Sequence, residues 1–148
     1  MKTIFNEDDK NEILNRIEKL SPQSKPIWGK MDVAQMLAHC ALGAKFPTGE
    51  VRPTPSSLRF VGRFFKKKIL EKGQFAKNSP TAKEIRIVDA RDFEKEKMQF
   101  IAAIKKLYEG GEKGVAVDSH AFFGKMTPKE WGRLNYIHAD HHLSQFGV

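Results

Sequence analysis

Apolar side chains recur at intervals of three and four residues along much of the chain, a spacing that is typical of amphipathic helices. Where this spacing is interrupted, proline, glycine and polar residues cluster, and we place the connections there. The spacing predicts helices over Asn6–Leu20, Asp32–Phe46, Asp92–Tyr108 and Thr127–Phe146, with a shorter one within residues 57–73.

Capping residues support the predicted ends of these helices. Asp32 precedes the second apolar run and is well placed to cap it. Thr127 can cap the last helix, Pro128 fits its first position, and Glu130 completes a capping box. Gly110–Gly111 ends the helix before it. The last helix therefore has the clearest start signal in the chain.

The connection between the second and the next long helix is unusually long. It contains the proline-rich loop PTGEVRPTPSS and then the predicted short helix. The run EIRIV, residues 84–88, could form a strand, but a lone strand would lack a partner, so we predict an irregular segment. The chain is thus expected to form one all-α domain over residues 1–148, a four-helix bundle with a short extra helix in this connection.

Composition limits the class of protein. The 148 residues are 40% hydrophobic and 30% charged, which is typical of a folded, soluble chain. No apolar run approaches the roughly 18 residues of a membrane span, and the acidic start MKTIFNEDDKNEIL does not resemble a signal peptide. The single cysteine excludes an internal disulfide and suits a reducing compartment. We therefore expect a cytoplasmic location.

The net charge of +8 favours anionic partners, and the run RFFKKK concentrates that charge. Its interleaved Phe and Lys could contact nucleic acid or a membrane surface. Alternatively, Phe64 and Phe65 pack inward while Lys66–Lys68 form a solvated face, and we favour this second interpretation. No nucleic-acid-binding motif accompanies the run, so nucleic acid is not the expected partner.

Three of the five histidines lie within NYIHADHHLSQF, in the last predicted helix. His138 and His142 are separated by about 40° around a helix axis, so both rings project to one side. His141 lies about 60° to the other side of His138, so spacing alone also permits a pair of His138 with His141. The same broad face carries Trp131, Leu134 and Gln145. This face should therefore look into the bundle, where imidazoles need hydrogen-bond partners or a metal ion.

Two histidines do not saturate a metal ion, and His39 is the obvious third donor. It lies in the middle of the second predicted helix, beside apolar neighbours, where a lone polar ring would be costly. Cys40 should point about 100° away from His39 and is interpreted as packing. Spacing alone leaves metal binding, ordinary core packing and a pH-sensitive surface patch as open alternatives.

Three further polar residues have two interpretations each. His120 could line a pocket or simply pack against the last helix. His141 could form a hydrogen bond just outside a metal site, or lie partly exposed. Gln145 could orient a ligand ring or fill a buried gap.

The segments WGKMDVAQMLAHC and HAFFGKMTPKEWGRLNYIHADHHLSQFG resemble the DinB/YfiT-like superfamily of metal-dependent enzymes, and more narrowly a branch known mainly as a domain of unknown function. The resemblance covers most of the chain. It implies a four-helix bundle in which one histidine of the second helix and a pair from the last helix hold a divalent metal. Carried over by position, the ligands are His39, His138 and His142.

The same resemblance implies an activity on small molecules. Characterised relatives transfer low-molecular-weight thiols or catalyse an isomerisation, so a transferase using such a thiol, or a hydrolase, is the expected function. Zinc, nickel and ferrous iron all accept imidazole, and the sequence does not choose among them. A non-enzymatic, metal-stabilised stress or binding protein and a basic nucleic-acid-binding module are the alternatives. A homodimer is also compatible with such a bundle.

Overall fold

A computed structural model describes residues 1–148, and it shows a mostly helical protein with one small hairpin. The helices are α1 (Glu7–Glu18), α2 (Val33–Gly43), α3 (Arg59–Lys72), α4 (Phe93–Gly110) and α5 (Pro128–Gln145). Strands β1 (Ser119–His120) and β2 (Gly124–Lys125) pair antiparallel, with Ser119 opposite Lys125 and His120 opposite Gly124. None of the helices combines the length and apolar character needed to cross a lipid bilayer.

The predicted helix starts are confirmed by hydrogen bonds at the caps. The Asp32 side chain accepts from the backbone N–H of Gln35, whose own side chain accepts from the Asp32 N–H. Thr127 and Glu130 form the same reciprocal pair at the start of α5, where Pro128 occupies the first turn. These contacts satisfy backbone donors that a helix start leaves free, and they fix where α2 and α5 begin.

Two apolar clusters hold the helices together. The larger one lies among α1, α2, α4 and α5, since α1 and α2 each contact both α4 and α5. Its most buried members include Ile13, Ile17, Met36, Leu37, Cys40, Phe100, Ile104, Leu107 and Leu143. The smaller cluster lies beneath the long connection and the hairpin and comprises Phe46, Ile85, Phe123, Met126, Trp131 and Leu134. The candidate functional site lies where these two clusters meet along α5.

The helix predicted within residues 57–73 is present as α3, but it is not shorter than α1 or α2. α3 has 14 residues, against 12 in α1 and 11 in α2. It docks on the hairpin at Gly62, where an added Cβ would lie 1.9 Å from the carbonyl oxygen of Phe122. The hairpin itself was not predicted, because its strands of two residues carry no alternating pattern.

The expected inward packing of Phe64 and Phe65 is wrong, since these residues are 65% and 49% exposed. Lys66 instead turns inward, and its ammonium group lies 2.9 Å from a Glu130 carboxylate oxygen and 2.8 Å from the Lys125 carbonyl. Gly62 and Lys66 are one helical turn apart and together face the hairpin. Phe64 lies about 200° around the axis from Gly62 and therefore faces away.

Candidate metal centre

Histidines from two helices converge at one point of the molecule. His39 comes from the middle of α2, and His138 and His142 come from successive turns of α5. One ring nitrogen from each residue lies within 4.8 Å of the others. The Nε2 atoms of His39 and His138 are 2.9 Å apart. Zn–N bonds of about 2.0–2.1 Å put imidazole nitrogens on one ion roughly 3 Å apart, so the spacing of this group is compatible with a shared metal.

The orientation of His39 is set by the long connection. Its Nδ1–H donates to the carbonyl oxygen of Ile85 at 2.8 Å, in the short 3₁₀ turn Lys83–Ile85. A carbonyl can only accept, so the proton must be on Nδ1, and the lone pair of Nε2 faces the other two histidines. Metal-binding histidines commonly donate their second N–H in this way, which fixes both tautomer and ring orientation.

His142 is held by a second, separate chain of hydrogen bonds. Its Nδ1 lies 2.8 Å from the amide oxygen of Gln145, and the Gln145 amide nitrogen donates to the Trp28 carbonyl at 2.7 Å. Gln145 is buried, so this amide is well ordered by its two partners. The Nε2 lone pair of His142 is thereby left free for a metal. This hydrogen bond to His142 is what the first role considered for Gln145, orientation of a ligand ring, would require.

Space for the His138 ring comes from a glycine on the facing helix. A Cβ on Gly43 would lie 2.9 Å from Cε1 of His138 and 3.1 Å from its Nδ1. Gly43 follows His39 by four residues, so both lie on the α2 face that looks toward α5. The glycine in LAHCALG is therefore a sequence signal of this close approach that our sequence analysis missed.

Burial disfavours the charged form of all three histidines. Burial is the main cause of a lowered pKa at His39, and burial also lowers the pKa of His142 to about 3. For His138, burial and then repulsion from His142 and His39 hold the pKa well below its ordinary value. Neutral imidazole is the form that binds a metal, so protons compete weakly for this site near neutral pH.

The remaining candidates lie around this group rather than within it. His141 is half-buried with its ring against Trp28 and Phe75, and its ring centroid is 5.0 Å from that of His142. Cys40 is buried in the larger apolar cluster, where burial raises the pKa of its thiol, and it is not among the converging residues. The convergence thus selects His142 over His141 and supports the interpretation of Cys40 as packing.

His120, in β1, has a fixed protonation pattern. Its Nδ1 accepts hydrogen bonds from the backbone N–H groups of Phe122 and Phe123, at 3.1 and 3.2 Å. The proton must therefore be on Nε2, which has no partner in the protein. The centroid of the His120 ring lies 4.6 Å from that of Phe123, on which it stacks, and 5.4 Å from that of Trp131 in α5. His120 therefore packs against α5 and also lines the cavity.

A cavity of about 1180 Å³ opens beside the three histidines. His39, His138 and His142 all line it, as do His120, His141 and Gln145. Neither a carboxylate nor a thiol belongs to the converging group. Three neutral donors facing a cavity match the open ligand arrangement of catalytic metal sites, whereas structural sites are closed by a fourth protein ligand. A divalent ion held here would keep its full charge and would have free positions for water or substrate.

Comparison with known proteins gives a family but no activity. A family described as "Protein of unknown function (DUF1569)" matches residues 3–147. No curated protein and no solved structure matches the chain at a significant level.

Proposed function

Since the chain belongs to the DUF1569 family, whose function is unknown, we propose from the geometry of its site that it is a divalent-metal-dependent enzyme acting on small molecules. The observation that carries this proposal is the convergence of His39, His138 and His142 beside a large cavity. Contacts of α1 and α2 with both α4 and α5 support placing the fold among the four-helix bundles of the DinB/YfiT-like superfamily.

The reaction that we favour is transfer of a low-molecular-weight thiol, with hydrolysis as the second form of the same chemistry. Zinc, nickel or ferrous iron would lower the pKa of a bound thiol or water molecule. The deprotonated form would then be available as a nucleophile near neutral pH. In thiol transfer the sulfur would form a bond to an electrophilic carbon of the second substrate. The leaving group would depart with the bonding electron pair, and the thiol proton would pass to it or to solvent.

The residues of this chain have separable roles in that proposal. His39, His138 and His142 would hold the ion through their Nε2 atoms. Ile85 and Gln145 keep two of those rings in the tautomer and orientation that expose Nε2. His120 presents a neutral N–H donor and could hold an oxygen atom of the substrate. His141 lines the cavity beside the three converging histidines and would be placed to receive a proton there.

The first test is elemental analysis of gently purified protein and of four variants. We expect about one equivalent of a transition metal in the wild type, as one three-histidine site allows. His39→Ala, His138→Ala and His142→Ala should lose it, because two imidazoles bind far more weakly than three. His141→Ala is the matched control, since it removes a neighbouring histidine outside the converging group and should retain the metal. Wild-type protein that stays metal-free after reconstitution at neutral pH would contradict the proposal.

A second measurement separates an enzyme from a metal-stabilised binding protein. Cobalt(II) can replace the native ion, and its visible absorption spectrum responds to the ligands around it. An open catalytic site should change that spectrum when a small thiol is added, because the sulfur enters a free position. An absorption spectrum that does not change when thiols or other small ligands are added would indicate a closed site. The metal would then only stabilise the fold.

A further inference from the structure

We propose that the cavity takes an organic anion with an apolar or aromatic body, such as a carboxylate or sulfonate attached to rings or alkyl groups. This inference rests on the proposed function in one respect, namely that the cavity beside the histidines is where substrate binds. It names the chemical class of one substrate, which neither the three histidines nor the family defines.

The charges around the cavity are strongly unbalanced. Its lining includes five lysines, Lys30, Lys68, Lys72, Lys77 and Lys83. All five are exposed, and none forms an ion pair. The only carboxylate in the lining is Glu84, which accepts a hydrogen bond from the Thr54 backbone N–H at 2.8 Å.

The lysines come from separate parts of the chain. Lys30 precedes α2, Lys68 and Lys72 lie one turn apart on α3, and Lys77 and Lys83 belong to the connection that follows. Elsewhere in the protein, lysines such as Lys66 and Lys97 contact carboxylates at 2.8–2.9 Å. A low-dielectric cleft lined by one sign of charge focuses its field and attracts ligands of the opposite sign. The rim therefore favours an anion.

The walls near the histidines are apolar instead. Phe75 lies edge-on to His138 and His141, with ring centroids 6.1 and 5.9 Å away. Trp28 approaches His141 at 5.7 Å, and the ammonium group of Lys77 lies 4.5 Å from the Trp28 ring centroid. One continuous path thus leads from a lysine through an aromatic ring to the histidines. A ligand with an apolar body and an anionic end matches both parts of this path.

The test compares two dyes that differ by one charged group, anilinonaphthalene sulfonate and the neutral N-phenylnaphthylamine. Both would be added to metal-stripped, full-length protein, so that a sulfonate–metal contact cannot contribute. Trp28 and Trp131 both line the cavity, so a dye bound there should quench tryptophan emission by energy transfer, and the substitutions below locate the bound dye. Raising NaCl from about 0.1 to about 1 M shortens the screening length from about 10 to about 3 Å. We expect this to weaken binding of the sulfonate and not of the neutral dye.

Paired substitutions then locate the charge effect. Lys68→Gln with Lys72→Gln should weaken sulfonate binding about three- to tenfold, as expected for two exposed charge contacts, and leave the neutral dye unaffected. Lys105→Gln with Lys113→Gln makes the same change in net charge at exposed lysines outside the cavity and should have no effect. Phe64→Ser removes an exposed ring outside the cavity and should also leave binding unchanged.

Several outcomes would overturn the inference. It fails if both dyes respond alike to salt, if the control lysine pair matters as much as the cavity pair, or if neither dye binds. Metal content is measured separately, so the two proposals can fail independently. If dye binding depends on charge but the protein takes up no metal, only the proposed function is contradicted. If the protein binds metal but shows no preference for the charged dye, only the inference about an organic anion is contradicted.

Discussion

The Nε2 atoms of His39 and His138 face each other at 2.9 Å, at the contact between α2 and α5. The Ile85 carbonyl holds the proton of His39 on Nδ1, so His138 must be the donor of the hydrogen bond between the two Nε2 atoms. The same Nε2 atom of His138 would have to lose its proton before it could bind a metal. A change of tautomer at His138 alone would therefore leave the Nε2 lone pairs of His39 and His138 both available to a metal.

The first prediction is a tautomer change confined to one residue. On addition of zinc, the proton of His138 should move from Nε2 to Nδ1, whereas His39 and His142 should keep theirs on Nδ1. Long-range proton–nitrogen correlation spectra of the imidazole rings distinguish the two tautomers. The prediction is wrong if His39 or His142 changes tautomer on zinc binding, or if His138 already carries its proton on Nδ1 without metal.

The second prediction concerns the room that Gly43 leaves for the His138 ring. In Gly43→Ala the new Cβ would lie 2.9 Å from Cε1 of His138, so the ring must shift and zinc affinity should fall. Competition titration with a chelator measures this change. Gly110→Ala is the matched control, because nothing lies within 4 Å of a Cβ at that helical position. Equal zinc affinities in wild type and Gly43→Ala would show that His138 does not need this space.

The third prediction concerns the amide that holds His142. Gln145→Ala removes the acceptor of the His142 Nδ1–H and leaves the Trp28 carbonyl without its donor. Loss of such an outer contact typically weakens metal binding about 10- to 100-fold. Zinc titration of the folded variant measures the effect, and Ser144→Ala at the neighbouring exposed position should bind as the wild type does. If both variants bind zinc equally well, Gln145 only fills a gap.

The fourth prediction uses pH to test the state of His120. Burial lowers the pKa of His120 from the ordinary 6.5 to about 4, so the unfolded chain takes up a proton first as the pH falls. Stability from this residue is therefore complete above pH 6.5 and is lost between about pH 6.5 and about 4. Between about pH 7 and 5 the metal-stripped wild type should lose up to roughly 2 kcal/mol more than His120→Asn does.

A pair of variants separates the two nitrogens of His120. Asparagine places an acceptor near the position of Nδ1 and can keep the N–H groups of Phe122 and Phe123 bonded, so His120→Asn should fold stably. His120→Gln lacks that acceptor and should be destabilised at both pH values, by about 1–3 kcal/mol for the unsatisfied donors. Denaturant unfolding measures both effects. The prediction is wrong if the stability of the wild type changes with pH no more than that of His120→Asn. His120 would then take up a proton as easily in the folded protein as in the unfolded chain.

Local patterns predicted the two helices that carry the three converging histidines. The start of α5 follows from Thr127, Pro128 and Glu130, because a capping box acts within four residues and needs no distant partner. The position of His39 in the middle of an apolar helix likewise predicted that its ring is buried. That position also made His39 the expected third donor beside the α5 pair, the resemblance to known bundles agreed, and the structure brings these three rings together.

The long connection was predicted poorly because its packing depends on contacts with distant segments, which local patterns do not report. α3 was expected to turn Phe64 and Phe65 inward, since aromatic rings usually pack in the core. Its actual rotation is set by Gly62 against the Phe122 carbonyl and by Lys66 against Glu130, contacts with segments about 60 residues away. Helical spacing defines which side chains share a face but not which face meets the protein.

The sequence by itself determined the helices, their caps and the two segments that supply histidines, because these depend on backbone hydrogen bonds and apolar spacing over a few residues. Only the tertiary structure showed that His142, and not His141, converges with His39 and His138, because this depends on how α5 packs. It also supplied the Ile85 carbonyl to His39 and the Trp28 carbonyl to Gln145, across 46 and 117 residues of chain. Such contacts form only when distant segments fold together, and no local pattern encodes them.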